Sequence, residues 1–120
     1  MPRTLLTNPL RLLRAIVSCD ISFKHLFKLS LPHPVGIVIA YNTKIGKNVK
    51  VYPNVVIGGK NGKPSIEDGV CIYSNSSVIG NIKLGTGCIV GANSLVRKDI
   101  PPNEVWAGSP ARKIKEVKIE

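Results

Sequence analysis

From Ile39 to Pro101 a branched aliphatic residue returns at every sixth position: Ile39, Ile45, Val51 and Ile57, then Ile66, Ile72, Val78, Leu84, Val90 and Val96. A helix repeats every 3.6 residues and an ordinary strand every 2, so a period of six belongs to neither. It belongs to a parallel β-helix, in which each hexapeptide supplies one short strand and one turn. Three hexapeptides close a triangular coil, and the aliphatic at each repeat start points inward. Stacked coils bury these side chains in continuous columns, so each coil is stabilised mainly by its neighbours. A small or β-branched residue stands four positions after many of them, at Val49, Val55, Val70, Ser76, Cys88 and Ser94.

Corners need backbone conformations that most side chains resist. Glycine follows several aliphatics, as in Ile45-Gly46, Ile57-Gly58, Leu84-Gly85 and Val90-Gly91, and is expected to serve tight corners there. Asn48, Asn54, Asn75, Asn81 and Asn93 are expected to do similar turn work.

The period breaks twice. Ile57 to Ile66 is nine residues rather than six, so the segment 58–65 must leave the coil as a loop, and loops of this kind usually lie on a binding face. Leu31 to Ile39 is eight, around Leu31-Pro32-His33-Pro34-Val35-Gly36. Upstream, Ile21, Phe27 and Leu31 are candidate inward residues of an imperfect first coil, interrupted by Lys24, His25 and Lys28. Downstream, Asp99-Ile100-Pro101-Pro102 is expected to end the coils, because consecutive prolines cannot donate to a ladder. The expected organisation is an N-terminal extension over 1–18, a β-helix over 19–102, and a tail over 103–120 that lies against the coils as a strand or short helix.

At 120 residues the chain is one domain, and Lys plus Arg outnumber Asp plus Glu by 17 to 7 for a formal charge of +10. The cations are scattered through turns and only 5% of residues are aromatic, which argues against a nucleic-acid stacking platform. An anionic cofactor or anionic glycan accounts better for the charge. Cys19, Cys71 and Cys88 form no metal-ligand spacing and read as free thiols of a reducing cytoplasm. The segment 10–17 is apolar but interrupted by Arg11 and Arg14, too broken for a signal-peptide core or membrane span. A short amphipathic helix docking on the solenoid is the expectation, with peripheral membrane contact the lesser one.

The hexapeptide array, followed by Asp99-Ile100-Pro101-Pro102-Asn103 and Ala107-Gly108-Ser109-Pro110-Ala111-Arg112, resembles the left-handed β-helix acyltransferases. More narrowly, Pro32-His33-Pro34-Val35-Gly36-Ile37-Val38-Ile39 and Val56-Ile57-Gly58-Gly59 resemble the active-site stretch and loop entrance of serine acetyltransferases. The resemblance implies an acetyl-CoA-dependent O-acetyltransferase that works as a homotrimer without a metal. Transfer from a thioester to a hydroxyl needs a base, and the resemblance assigns that position to His33. Asp20, in Cys19-Asp20-Ile21-Ser22, is the nearest match to the family's orienting aspartate; His25 has no motif behind it and is expected at the surface. The cofactor groove is implied along small residues, Gly58, Gly59, Ser74, Gly91 and Ala92. Lys98, Arg112 and Lys113 are implied near the cofactor's phosphates, and Trp106 either packs by the adenine or covers the last coil.

Two departures concern the acceptor. The family carries an aspartate just before the catalytic histidine, where this chain has Pro32. The family's loop carries an Arg-His pair, where this chain has Gly62-Lys63-Pro64, leaving Lys63 as the candidate acceptor contact. The expected acceptor is therefore a hydroxyl of a sugar in polysaccharide biosynthesis, with L-serine as the alternative enzyme substrate and a non-catalytic scaffold as the rival class.

Overall fold

The computed structural model describes residues 9, 10, 13, 18–26, 28–59 and 62–118. The six-residue period folds into a parallel β-solenoid of very short strands: β1 (Leu29–Ser30), β2 (Val38–Ile39), β3 (Lys44–Ile45), β4 (Val49–Val51), β5 (Val56–Gly58), β6 (Ser65–Ile66), β7 (Cys71–Ile72), β8 (Ser77–Ile79), β9 (Lys83–Leu84), β10 (Ile89–Val90) and β11 (Leu95–Val96). They stack into three sheets. The first runs β1-β4-β7-β10 and continues into two further strands, the second runs β11-β8-β5-β2, and the third runs β3-β6-β9.

The register shows the repeat and its breaks. Val38 pairs with Val56, and Ser77 with Leu95, one eighteen-residue coil apart in each case. Val56 pairs with Ser77 twenty-one residues on, so the three extra residues of the 58–65 loop are absorbed without a slip in the sheet. Leu29 pairs with Val49 at twenty, which leaves two extra residues in the corner that holds His33. All ten repeat aliphatics are buried, from 0% to 7% exposed, as are Val49, Val55, Val70, Ser76, Cys88 and Ser94. A one-residue slip would turn that whole set outward, which is why the register is held so strictly.

Two of the corners are ladders of left-handed backbone. Gly36, Asn54, Asn75 and Asn93 carry φ of 64°, 61°, 63° and 59° in one of them, and Asn48, Gly69, Gly87 and Asn103 carry 57°, 72°, 72° and 59° in another. Asparagine and glycine share these positions because both tolerate this region. Asn81 differs from the expectation: the positive φ there belongs to its neighbour Gly80. The glycines that follow aliphatics also have another cause. Gly46, Gly58, Gly85 and Gly91 lack positive φ. A Cβ at Gly85 would meet the Pro102 nitrogen at 2.5 Å, and one at Gly91 would meet Ala107 Cβ at 2.9 Å. Close approach of adjacent coils selects glycine at these positions.

Pro101 and Pro102 do not stop the ladder. β12 (Glu104–Gly108) continues the first sheet in parallel, Val105 against Ile89 and Trp106 against Val90, and then reverses into β13 (Ala111–Glu116), which pairs with it antiparallel. The prolines fall in the turn before β12, where no ladder donor is required. At the other end Ile21 packs partly buried against the core and Leu31 is fully buried. Phe27 and most of the extension over 1–18 lie outside the described residues.

Candidate active site and its groove

His33 lies in the corner between β1 and β2, in the two-residue excess of the first coil, and its side chain is exposed. The corner itself is pinned to the coil below. Val35 N–H donates to the His33 carbonyl at 2.8 Å, and Asn54 N–H donates to the Val35 carbonyl at 3.0 Å. The same bond recurs in the next coils, Asn75 N–H to Pro53 O at 3.1 Å and Asn93 N–H to Ser74 O at 3.0 Å. Val35, Pro53, Ser74 and Ala92 therefore form one column down a single edge of the prism. Extending the strand pairs gives the adjacent column, by one residue for Tyr52, Tyr73, Gly91 and Ala107 and by two for Pro32. Of the sequence-derived candidates, His33, Ser74, Gly91 and Ala92 thus share one edge. With strands about 4.8 Å apart, it runs roughly 14 Å from the first coil to the fourth.

This edge is stiffened from inside by two buried serines. Ser76 and Ser94 hydroxyls both donate to the Gly91 carbonyl, at 2.9 and 2.7 Å, and Ser94 Oγ accepts from Gly108 N–H at 3.1 Å. These are small polar groups at inward positions, and their burial is tolerated because each is satisfied.

At the C-terminal end of the stack a groove of ≈ 440 Å³ is lined by Arg97, Lys98, Trp106, Pro110, Ala111, Arg112 and Lys113. Arg97 and Lys98 follow β11 and continue the column of Gly58 and Ile79, an edge away from His33. The three cations expected near phosphates are thus brought together, joined by Arg97, which the sequence reading did not single out. Lys113 is already engaged, 3.5 Å from Glu104 and 3.4 Å from Glu116, whereas Lys98 and Arg112 have no carboxylate partner among the described residues. Trp106 both lines this groove and packs on the core, with its indole N–H donating to Glu104 at 3.0 Å.

Asp20, Gly58 and Gly59 fall elsewhere. They line a second groove of ≈ 370 Å³ with Val38, Ala40, Tyr41 and Val56, over the face of the second sheet. Asp20 adds a bridge beside Val38: its N–H donates to Ile37 O at 2.8 Å and its carbonyl accepts from Ile39 N–H at 2.9 Å. Among the described residues, Asp20 and His33 do not hydrogen-bond to each other. Lys63 is exposed in the loop between β5 and β6, on a different edge of the prism from His33. The loop folds back on the next coil, where a Cβ at Gly62 would meet the Gly80 backbone at 2.5 Å.

His25 reverses its expectation. It is 3% exposed, with Nε2 2.8 Å from the Thr43 carbonyl and Nδ1 3.2 Å from Ser22 Oγ. Burial holds its pKa below the ordinary 6.5, against the pull of the Thr43 carbonyl, and the charges of Lys24 and Lys28 push the same way as burial. A lone histidine off the six-residue period carries no signal that would have separated a buried cap from a surface turn. Sequence reasoning also passed over Tyr52 and Tyr73, whose rings stack with centroids 4.8 Å apart and an interplanar angle of 23°. The signal was available: both follow an inward aliphatic by one position, at consecutive coils. Cys88 is fully buried with its thiol pushed up to about 12 by burial, while Cys71 points outward beside Tyr73 rather than filling an inward position. Among the described residues there is no group of three or more metal-ligating side chains, and no helix is long and apolar enough to cross a membrane.

Residues 63–98 match the family model described as bacterial transferase hexapeptide (six repeats). The chain is 38% identical over 96 residues to a serine acetyltransferase of Buchnera aphidicola, covering 75% of this chain and 37% of that protein. Among solved structures it superposes on a serine acetyltransferase from Brucella abortus with a TM-score of 0.72 at 35% identity, over 74% of this chain and 38% of that one. A soybean serine acetyltransferase complexed with serine gives 0.68 at 37% identity, over 72% and 38%. The chain spans well under half the length of these relatives.

Proposed function

The chain belongs to the left-handed β-helix acyltransferases, in the serine acetyltransferase-like branch, and on that premise we propose that it is an acetyl-CoA-dependent O-acetyltransferase domain with His33 as general base. The observation that carries the reading is the single edge on which His33, Ser74, Gly91 and Ala92 align, with the basic groove of Arg112 at the C-terminal end of the same stack. An extended thioester arm fits such an edge, with its phosphates at the cationic end and its acyl group near the histidine.

The chemistry follows from these positions. His33 takes the proton of the acceptor hydroxyl as its oxygen attacks the thioester carbonyl. The tetrahedral intermediate collapses, the C–S bond breaks, and the imidazolium returns its proton to the departing thiolate. Asp20 is the proposed orienting carboxylate. Because Asp20, Gly58, Gly59 and Lys63 lie on other parts of the prism, a cyclic homotrimer, which sets one protomer's edge against its neighbour's face, supports their joining one site. A metal has no role in this scheme. A cytoplasmic location accords with an acetyl-CoA donor and three free thiols.

The relatives' names speak for L-serine as acceptor, ahead of the sugar hydroxyl expected from the sequence. A sugar remains as a second reading on one observation: within one protomer the corner holding His33 presents Pro32, Tyr52, Tyr73, Ser74 and asparagines, and no carboxylate to hold an amino acid's ammonium. The test is thiol release from acetyl-CoA by the full chain, with L-serine and a panel of amino- and deoxy-sugars, beside His33→Ala. Acceptor-dependent release that falls by about 10²–10⁴ in the variant supports the base. Absence of coenzyme A binding removes the enzyme reading altogether.

A further inference from the structure

Tyr52 and Tyr73 form a stacked aromatic ledge one column from the His33 edge, and the acetyl-transfer step itself does not use it. Tyr73 keeps 39% of its surface exposed. Each ring covers one face of the other. The next position down the column is Gly91, which has no side chain to cover the remaining face of Tyr73; its nearest neighbour on that side is Ala107. The column above Tyr52 is Pro32, and His33 follows it directly in sequence. The ledge is thus open at the level where an acceptor must reach the histidine.

Its surroundings define what would bind. Within one protomer this corner carries, coil by coil, Pro32-His33-Pro34-Val35-Gly36, Tyr52-Pro53-Asn54, Tyr73-Ser74-Asn75 and Gly91-Ala92-Asn93. Beside His33 and the tyrosines, the Cys71 thiol stands next to Tyr73 with Lys50 nearby, while Asn54, Asn75 and Asn93 are exposed side by side along the corner. An aromatic face next to neutral amide and hydroxyl groups matches a ligand with one C–H face and a rim of hydroxyls. Within one protomer these residues include no carboxylate for an α-ammonium.

We propose that Tyr52 and Tyr73 are the acceptor platform, and that the acceptor is a pyranose ring. The ring lies with its C–H face on the tyrosine ledge, its hydroxyls bond Ser74 and the neighbouring asparagines, and one hydroxyl is presented to His33. The proposal rests on the acetyl-transfer reading for its chemistry but not for its binding step.

The experiment measures acceptor and acetyl-CoA KM separately for the wild-type chain, Tyr73→Ala and Tyr73→Phe, with pyranosides and L-serine as acceptors. Sedimentation mass and Tm serve as controls. The expected result is turnover with a pyranoside above that with L-serine. Tyr73→Ala raises the pyranoside KM roughly tenfold, in keeping with the loss of one stacked ring, and leaves the acetyl-CoA KM unchanged. Tyr73→Phe stays near wild type. Three outcomes overturn the proposal: a rise in acetyl-CoA KM instead, a fall in assembly mass on truncation, or L-serine as the best acceptor with both variants neutral. If no acceptor supports thiol release, the acetyl-transfer reading fails by itself, and binding of the same pyranosides followed by saturation-transfer NMR decides the ledge. Binding lost in Tyr73→Ala upholds it, and absence of binding to wild type sinks it.

Discussion

The backbone N–H of Asn54 donates to the carbonyl of Val35 at 3.0 Å, and this bond locks the corner that carries His33 onto the regular coil beneath it. Gly36, next to Val35, has φ of 64°, and Asn54 has 61°, so the two corners are superposable despite the extra residues above. A Cβ at Gly36 would strike the Asn54 side chain, which is why glycine alone fits the upper corner. The bulge therefore presents His33 from a fixed support.

Arg112 is expected to carry more of the cofactor's charge than Lys113, because Lys113 already faces Glu104 and Glu116. Arg112→Ala should weaken coenzyme A binding about tenfold at low ionic strength, with a shallower salt dependence than wild type. Lys113→Ala should cost distinctly less. Calorimetric titration at two salt concentrations compares them; equal losses would place the phosphates elsewhere.

Ser94 closes the corner from within, donating to Gly91 O and accepting from Gly108 N–H. Ser94→Ala removes the Gly108 donor's partner and one of the Gly91 acceptor's in a buried position. A loss of about 2 kcal/mol is expected, read as a lower urea midpoint at constant slope. A midpoint that does not move would mean that other groups replace both bonds.

His25 supplies a pH dependence of stability. Its pKa is depressed in the fold, chiefly by burial, so the unfolded chain binds the proton more readily than the folded one. The sign follows: stability is at its full value above the ordinary 6.5 and falls as pH drops below it, until the folded pKa is passed. Urea midpoints taken on either side of that range should decline toward acid in wild type and lose most of that decline in His25→Gln. An unchanged slope in the variant would assign the effect to other groups.

Cys88 is fully buried, with a thiol pushed up to about 12. A maleimide at mildly alkaline pH should leave it unmodified in the native protein and label it in urea, since the thiolate is the reacting species. Mass spectrometry of peptides reads the difference. Native labelling at the unfolded rate would contradict the burial of this coil.

Much of the fold was legible because a six-residue period is a local property. Each of the ten aliphatics faces inward for the same reason as the next, and the nine-residue gap from Ile57 to Ile66 could be read as a loop without knowing what surrounds it. The histidine at the second slip was legible too, because two extra residues must leave the coil somewhere. Less visible were the continuation of the ladder past Pro101 and Pro102 and the burial of His25. Both depend on which strand lies alongside, and proline at a turn looks the same in sequence as proline at an end.

The order of the residues by itself determined the period, the inward columns, the two places where the coil is interrupted and the residue types at the corners, since these depend on spacing and backbone preference alone. The tertiary structure decided which corners share an edge. Coil closure at eighteen residues, shifted by three at the loop and by two at the first corner, sets Tyr52 over Tyr73 and aligns His33 with Ser74 and Ala92. It also sends Lys63 to a different edge of the prism, because three extra residues inserted after β5 can only leave from the corner that β5 enters.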